Sequence, residues 1–586
     1  MTARTSEFWK PIQSFLTSKP FWRWWAFALF CRLIAAWTHA HWFHLDEWYQ
    51  TIEPANLIAH GFGLHSQEIG LHLRNLTWPL ILAGVLKASQ ILAPNAIDLR
   101  FFSVNALCGM LDLFILWGWI QLLNTSQLVR SLPSRYQNWS LALLLLPWFT
   151  IYHSVNPRAE HLSEIALWIC LGCMARRFWF LAGFFSIAIF GFRYPSILLT
   201  AGIFLGVGIQ YLKTKNQTLA FRFSFGAVLG LVLFGATDAL IYGRPWESFW
   251  MYLQYNLFTG SGTQVFGRQG ISPYLDFFIW NWGKYPIYIP IGLALTFGFI
   301  LGTILGLIRL EIWAFCIPVY LIGHLLIGHK EGRFMVPIET LTRWIGFIGL
   351  AFFFRNLGLS VKIRSALQLF FLFFFSINSI LLLHALRADL WRLRHSYLEI
   401  GDHLKSSSAP VCAILTPLQI TSLYLPLQKE GIAGLSPPVG RLLQENRRPT
   451  YSNLKNASLL WIEHAPACNP TDSVMVNAYS SDDLWNQEGC KLKPTGLLKL
   501  FPNSLLDWAI HRQLAHGLWY ECPSKILTSF ASQQVVHYLS TGFGKISQLP
   551  RMGISPLELE NLGRETSPAP RDSLVSTVKD FPPEQD

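Results

Sequence analysis

Two places in this 586-residue chain set ionisable side chains beside long apolar runs, where charge is costly. The first is His44-Leu45-Asp46-Glu47-Trp48-Tyr49-Gln50, with two adjacent carboxylates just beyond the first apolar run. An Asp with an ordinary pKa of about 3.9 is ionised at neutral pH, so Asp46 could accept the proton of a hydroxyl as that hydroxyl attacks. A solvated acidic loop, or a helix N-terminus whose dipole favours carboxylates, would place the same pair there. The second is Gly328-His329-Lys330-Glu331-Gly332-Arg333-Phe334, wedged between two apolar runs. A charge within a membrane segment costs roughly 2.5–3.5 kcal/mol on insertion scales, so such residues face a cavity, a partner or a substrate, or else snorkel to headgroups. Lys330 and Arg333, three apart, could share one helical face and clamp a phosphate, with Arg supplying a planar fork, and a short interfacial loop whose Lys and Arg snorkel to headgroups is an equal reading.

Other charged or amide side chains invite two readings each. Arg193 in "GFRYPS" and Arg158 with Glu160 and Glu164 in "NPRAEHLSE" are candidate substrate contacts, and equally candidate buried ion pairs or interfacial anchors. Asp112 is expected to be a satisfied contact between helices. Asn256 and His44 are possible substrate-binding groups, the former in a stretch of aromatics, Gly and amides suited to sugar stacking and to an interfacial aromatic belt alike. His39, His41 and His44 form a His-rich turn without a closed ligand set, so no metal is expected. Cys170 and Cys173, on an apolar run, are expected to be packing residues. Neither a Walker motif, nor G-x-S-x-G, nor H-E-x-x-H occurs.

These residues must be held by membrane helices. The chain is 52% hydrophobic and only 14% charged, which argues against a purely soluble globular protein. Apolar runs occupy 21–40, 76–93, 101–123, 139–154, 161–175, 178–192, 194–211, 223–243, 286–308, 311–328, 335–352 and 366–386, giving eleven or twelve expected spans. Net charge is +12: residues 1–390 hold 28 Lys and Arg against 16 Asp and Glu, and residues 391–586 hold 18 against 18. The excess therefore belongs to membrane loops and anionic lipid rather than to a nucleic-acid surface, and no nucleic-acid partner is expected. Lys and Arg put the N-terminal tail, 1–20, and the loop around Lys213–Arg222 in the cytoplasm, so the loops 41–75 and 243–285 are expected to face outward. Counting every run as a crossing places Asn75 and Arg130 on conflicting sides, so one short run is expected to be re-entrant or absent. Residues 391–555 change to mixed polar and apolar composition, expected as a small soluble α/β domain facing outward, with strand-like runs at 411–416 and 458–462. Residues 556–586, rich in Pro, Ser, Glu and Arg, are expected to be a disordered tail.

His44-x-Asp46-Glu47 after the first span and His329-Lys330-Glu331-x-Arg333-Phe334 late in the membrane part together resemble the mannosyltransferases of glycosyltransferase family 22. That family holds the GPI mannosyltransferases and the Alg9 and Alg12 type enzymes. "TDALIYG", "YNLFTGSG" and "GFRYPS" look like the family's intervening landmarks, whereas "NPRAEHLSE" departs from its usual pattern. The resemblance implies an all-α multi-pass membrane protein of the GT-C glycosyltransferase fold over residues 21–390. It implies mannose transfer, with inversion, from a polyprenyl-phosphate mannose donor to a lipid-linked glycan or glycolipid acceptor at the outward face. Asp46 would be the base, Glu47 would position the acceptor or support the field, and His329, Lys330 and Arg333 would bind the donor phosphate. The sugar rests on the resemblance alone; another polyprenyl-linked sugar, or a lipid or sugar transporter, is the rival. The expected location is the ER membrane in a eukaryote and the inner membrane in a bacterium, with no cofactor, because fixed cations can replace a metal for a lipid monophosphate leaving group.

Overall fold

The computed structural model describes residues 19–38, 48–60, 63–65, 67–93, 97–132, 147–260, 263, 267–280, 289–357 and 379–380, together with strands at 411–416, 433–435, 458–461, 491–494, 518–521, 523–528, 536–540 and 546–548. Asp46, Glu47 and His44 lie outside the described residues, as do most of the expected span 366–386 and the tail 556–586. The chain forms two compact units, one of residues 1–60, 68–394 and 494–518, the other of residues 61–67, 395–493 and 519–586.

The first unit is helical. Its principal helices are α1 (Lys19–Thr38), α2 (Glu53–His60), α3 (Thr77–Leu92), α4 (Ile97–Thr125), α5 (Trp148–Ser154), α6 (Ala159–Ala175), α7 (Trp179–Phe192), α8 (Ile197–Thr214), α9 (Gln217–Tyr242), α10 (Glu247–Leu253), α11 (Ser272–Trp280), α12 (Ile289–Ile308), α13 (Ile312–Leu326) and α14 (Glu339–Asn356). Five described stretches are long and apolar enough to cross a membrane: Leu99–Thr125, Tyr194–Thr214, Gln217–Tyr242, Ile289–Ile308 and Gly332–Asn356. Helix α9 shows how. Asn216 caps its start by accepting from the Leu219 N–H (3.1 Å), and Gly243, at φ 85°, ends it in the left-handed region. One face buries Phe223, Ala227 and Phe234 while the other exposes Phe221, Phe225, Val228 and Val232. Apolar on both faces, the helix suits protein on one side and lipid on the other.

Close approach of helices depends on small residues. A Cβ on Gly183 of α7 would stand 1.9 Å from the Phe223 carbonyl oxygen of α9, and one on Gly226 of α9 would stand 1.8 Å from the Phe180 carbonyl oxygen of α7. Buried polar links join the apolar packing. Asp112 of α4 receives Arg32 of α1 (Nη2 2.5 Å, Nε 2.7 Å) and lies 3.0 Å from His161 of α6. His161 also lies 3.3 Å from Glu164, whose other oxygen accepts the Thr340 N–H (2.6 Å) and hydroxyl (2.7 Å) at the start of α14. Asp112 is thus a helix-to-helix contact, as expected. Cys170 and Cys173 are buried free thiols.

The stretch 243–285, expected as an outward connection, contains α10, a π-helical turn at Gln254–Phe258, and α11. No Gly or Pro interrupts residues 247–258, so aromatic residues there can close helical turns. The described strands are β1 (Gly63–His65), β2 (Val411–Thr416), β3 (Ala433–Leu435), β4 (Ser458–Trp461), β5 (Lys491–Pro494), β6 (Leu518–Glu521), β7 (Pro523–Thr528), β8 (Val536–Ser540) and β9 (Ile546–Gln548), all in the second unit apart from the boundary residues Pro494 and Leu518. A five-stranded antiparallel sheet runs β4-β2-β7-β8-β9, with Ala413 opposite Trp461 and Ile414 opposite Leu460. Strand β1 pairs in parallel with β3.

Candidate active site

Gly328, Gly332 and Pro337 disfavour a continuous α-helix in the segment after α13. Residues 328–331 therefore run as loop into a 3₁₀ turn, Gly332–Ile338, which leads into α14. Of the two arrangements their spacing allowed, the shared helical face is not formed: Lys330 lies in the loop and Arg333 in the 3₁₀ turn. The loop is stapled in place. Gly328 O accepts the Gln269 N–H (3.1 Å), and Lys330 Nζ donates to Ile327 O (2.5 Å) and more weakly to Gln269 O (3.4 Å). The buried Tyr320 of α13 donates its hydroxyl to the Phe334 carbonyl.

A cavity of about 1170 Å³ opens beside this loop. His329, Lys330 and Arg333 all line it, as do Arg193 and Asn256, so five residues singled out from sequence meet around one space. Glu331 sits among the cations, its Oε1 2.6 Å from His329 Nε2 and its Oε2 ion-paired with Arg333 Nε. The Arg193 and Arg333 guanidinium carbons lie 5.5 and 5.6 Å from the centroid of the Phe334 ring, within cation–π range. Arg193, between α7 and α8, is held by Glu160 of α6 (Nη2 to Oε1, 3.2 Å). Asn256 donates to the Tyr252 carbonyl (3.0 Å) in the π-helical turn. Arg158 is buried at the start of α6 and does not line the cavity.

Sequence reasoning did not single out three further charged residues in the wall: Glu68, Arg74 and Arg268. Arg74 pairs with Glu68 (Nε to Oε2, 2.7 Å). Burial alone would lower its pKa, but the Glu68 carboxylate, joined by Tyr252 and Glu160, raises it above the ordinary arginine value. The "TDALIYG" stretch fixes Arg74 in place. Tyr242 donates to the Arg74 carbonyl (2.9 Å), while the adjacent Asn75 donates to Asp238 Oδ1 (2.8 Å). Asp238 Oδ2 accepts from the Ser248 N–H (3.0 Å) and hydroxyl (2.5 Å), and the Ser248 and Tyr194 hydroxyls are bonded to each other. Helix α10, and with it Tyr252, is thereby tied to the end of α9. Desolvation pushes the Tyr252 phenol up, against the opposing pull of Arg193 and Arg74, so it stays a neutral hydroxyl.

Five cationic side chains thus face two carboxylates across an enclosure that also offers Tyr194, Tyr252, Tyr255 and Asn256. Such a wall can neutralise a phosphate and stack against or hydrogen-bond a sugar.

The model of the Alg9-like mannosyltransferase family matches residues 22–412. The chain belongs to this family. It is 24% identical over 329 residues to GPI mannosyltransferase 3 of Drosophila melanogaster, covering 51% of this chain and 52% of that protein. It is 26% identical over 333 residues to GPI mannosyltransferase 3 of Yarrowia lipolytica (53% and 58%), and 23% identical over 310 residues to GPI alpha-1,2-mannosyltransferase 3 of Bos taurus (50% and 52%). The chain spans about half the length of the curated relatives it matches. Among solved structures it is similar to ArnT from Cupriavidus metallidurans bound to undecaprenyl phosphate, with a TM-score of 0.43 and 11% identity over 77% of this chain and 100% of that one. The Alg9-like mannosyltransferases are membrane glycosyltransferases. This member has the multi-helix architecture of a membrane protein, with five described stretches long and apolar enough to span a bilayer.

Proposed function

We propose that the chain is an inverting mannosyltransferase that moves mannose from a polyprenyl-phosphate mannose to a lipid-linked glycan or glycolipid acceptor at the outward face of its membrane. The observation that carries this reading is the convergence of Arg193, His329, Lys330 and Arg333, separated by up to 140 residues, on one cavity. In the reaction an acceptor hydroxyl attacks the anomeric carbon, the bond from that carbon to the phosphate oxygen breaks, and its electron pair leaves with the phosphate. Lys330, Arg333 and His329 stabilise the charge that develops there. Asp46 takes the hydroxyl proton, with Glu47 supporting it. The names of the relatives favour a GPI-type glycolipid as acceptor. Fixed cations supply the charge that a metal would otherwise provide, so turnover is expected to survive a chelator.

The test is purified protein in detergent, supplied with polyprenyl-phosphate mannose and mannose-deficient GPI glycolipids. Transfer of mannose to lipid supports the reading. Consumption of a different polyprenyl-linked sugar in its place would reassign the donor, and absence of any transfer would favour a transporter, which needs a sealed membrane to act.

A further inference from the structure

Glu331 lines the cavity but has no part in the transfer just described. Its side chain is 23% exposed and bridges two of the donors assigned to the phosphate, His329 Nε2 at 2.6 Å and Arg333 Nε. A phosphate taking hydrogen bonds from His329 and from the Arg333 fork must contest both with this carboxylate.

We propose that Glu331 is a built-in competitor of the phosphate, which keeps the cations from holding the polyprenyl phosphate product. The proposal rests on the phosphate-site reading above. Charge balance explains why the product needs such help. The donor is a phosphodiester with one negative charge. When the acceptor oxygen bonds to the anomeric carbon, the electron pair of the broken carbon–oxygen bond stays on phosphate and the acceptor proton passes to the base. What remains is a monoester, carrying about −1.5 to −2 charge at neutral pH. The fixed cations that stabilise the leaving group therefore hold the product more tightly than the donor, and a neighbouring carboxylate that re-forms its own ion pairs opposes this.

The alternative is that Glu331 only orients His329 and Arg333. The two roles predict opposite signs. If Glu331 orients, removing its charge weakens phosphate binding; if it competes, removing its charge strengthens binding. The experiment measures binding of farnesyl phosphate to the purified full-length chain for wild type, Glu331→Gln and Glu331→Asp, with thermal unfolding of each and steady-state mannose transfer. Glu331→Gln should bind the probe about tenfold more tightly, as expected for loss of one competing charge-assisted contact. Its product inhibition should strengthen to match, and kcat should fall while the donor KM does not rise. Glu331→Asp, whose carboxylate stands one methylene further back, should bind about threefold more tightly than wild type, and it carries the test if the Gln variant does not fold. Unchanged or weaker binding by the folded variants, with wild type binding normally, overturns the proposal alone. Wild type failing to bind farnesyl phosphate overturns the phosphate-site reading and the proposal with it.

Discussion

Replacing Arg333 by Lys separates a phosphate clamp from a membrane anchor. An anchor needs a positive charge and an alkyl stem, both of which Lys keeps; a bidentate clamp needs the planar fork, which Lys lacks. In the structure Arg333 presents that fork beside the cavity, its side chain 14% exposed, with Nε on Glu331 and the guanidinium over Phe334. Lys could retain the ion pair but would give up one charge-assisted hydrogen bond to phosphate, a loss of about 1.5–3 kcal/mol. This corresponds to a fall in kcat/KM of roughly 10- to 150-fold, with the donor constant moving more than the acceptor constant. Arg343 is the control. It is buried in α14, ion-paired with Glu339, and donates Nη1 to the Thr150 hydroxyl (2.7 Å), but does not line the cavity. Arg343→Lys replaces the two guanidinium nitrogens that reach Glu339 and Thr150 by one, so loss of one of these contacts should lower stability by about 1.5–3 kcal/mol while sparing the kcat/KM of the folded fraction. Initial rates of mannose transfer across donor and acceptor concentrations, beside thermal unfolding of both variants, give the comparison. Wild-type rates for Arg333→Lys would refute the clamp, as would an equal kinetic loss in folded Arg343→Lys.

Asp46→Asn keeps size and removes the base, so turnover should fall by about 10²–10⁴ with unfolding unchanged; near-normal turnover alongside a dead Glu47→Gln would move the base to Glu47. Asp112→Asn leaves Arg32 and His161 facing a neutral amide in the core and should cost about 3–5 kcal/mol of stability, read as a lower unfolding temperature. An unchanged temperature would mean that the link between α1, α4 and α6 is not structural. Gly349→Ala would bring a Cβ to 1.9 Å from the Gly298 carbonyl and should spread α12 from α14 and reduce the yield of folded protein, whereas Gly84→Ala, with open space around it, should be silent. Equal yields would contradict the packing. EDTA treatment should leave the transfer rate within about twofold, and rescue of a lost rate by one divalent metal would contradict the fixed-cation reading.

What sequence could disclose followed the cost of charge. His329, Lys330, Arg333 and Arg193 stood out because apolar sequence surrounds them, and all four line the cavity. Glu68, Arg74 and Arg268 did not, because they belong to polar, Gly-containing connections where an isolated charge is unremarked. Only the folding of those connections against α9 and the 328–333 loop brings them to the cavity. The helical face that spacing allowed Lys330 and Arg333 is not formed, and Gly332 and Pro337, which disfavour a continuous α-helix there, are the sequence signal for it. Asp112 went the other way, since a single carboxylate within an apolar run needs a partner, and Arg32 and His161 supply two. In the second unit, the two runs read as strands, 411–416 and 458–462, are β2 and β4, paired antiparallel, because Pro, Ser and Asn bound them on either side.

The arginines of the cavity wall show how a cationic site persists in so apolar a unit. Arg193, Arg74 and Arg333 each carry a glutamate, respectively Glu160, Glu68 and Glu331, which offsets the cost of gathering like charges away from bulk water. The pairs differ in what a ligand can do to them. Glu160 is buried at 4% exposure and does not line the cavity, so Arg193 keeps its partner and acts as a fixed charge whose remaining surface faces Phe334 and the cavity. Glu68 and Glu331, with side chains 31% and 23% exposed, line the cavity together with their arginines. On the proposed reading, an entering phosphate exchanges with these carboxylates. Binding under that proposal is a substitution of one anion for another, with little net change in buried charge, and the same exchange run backwards would supply the force for release.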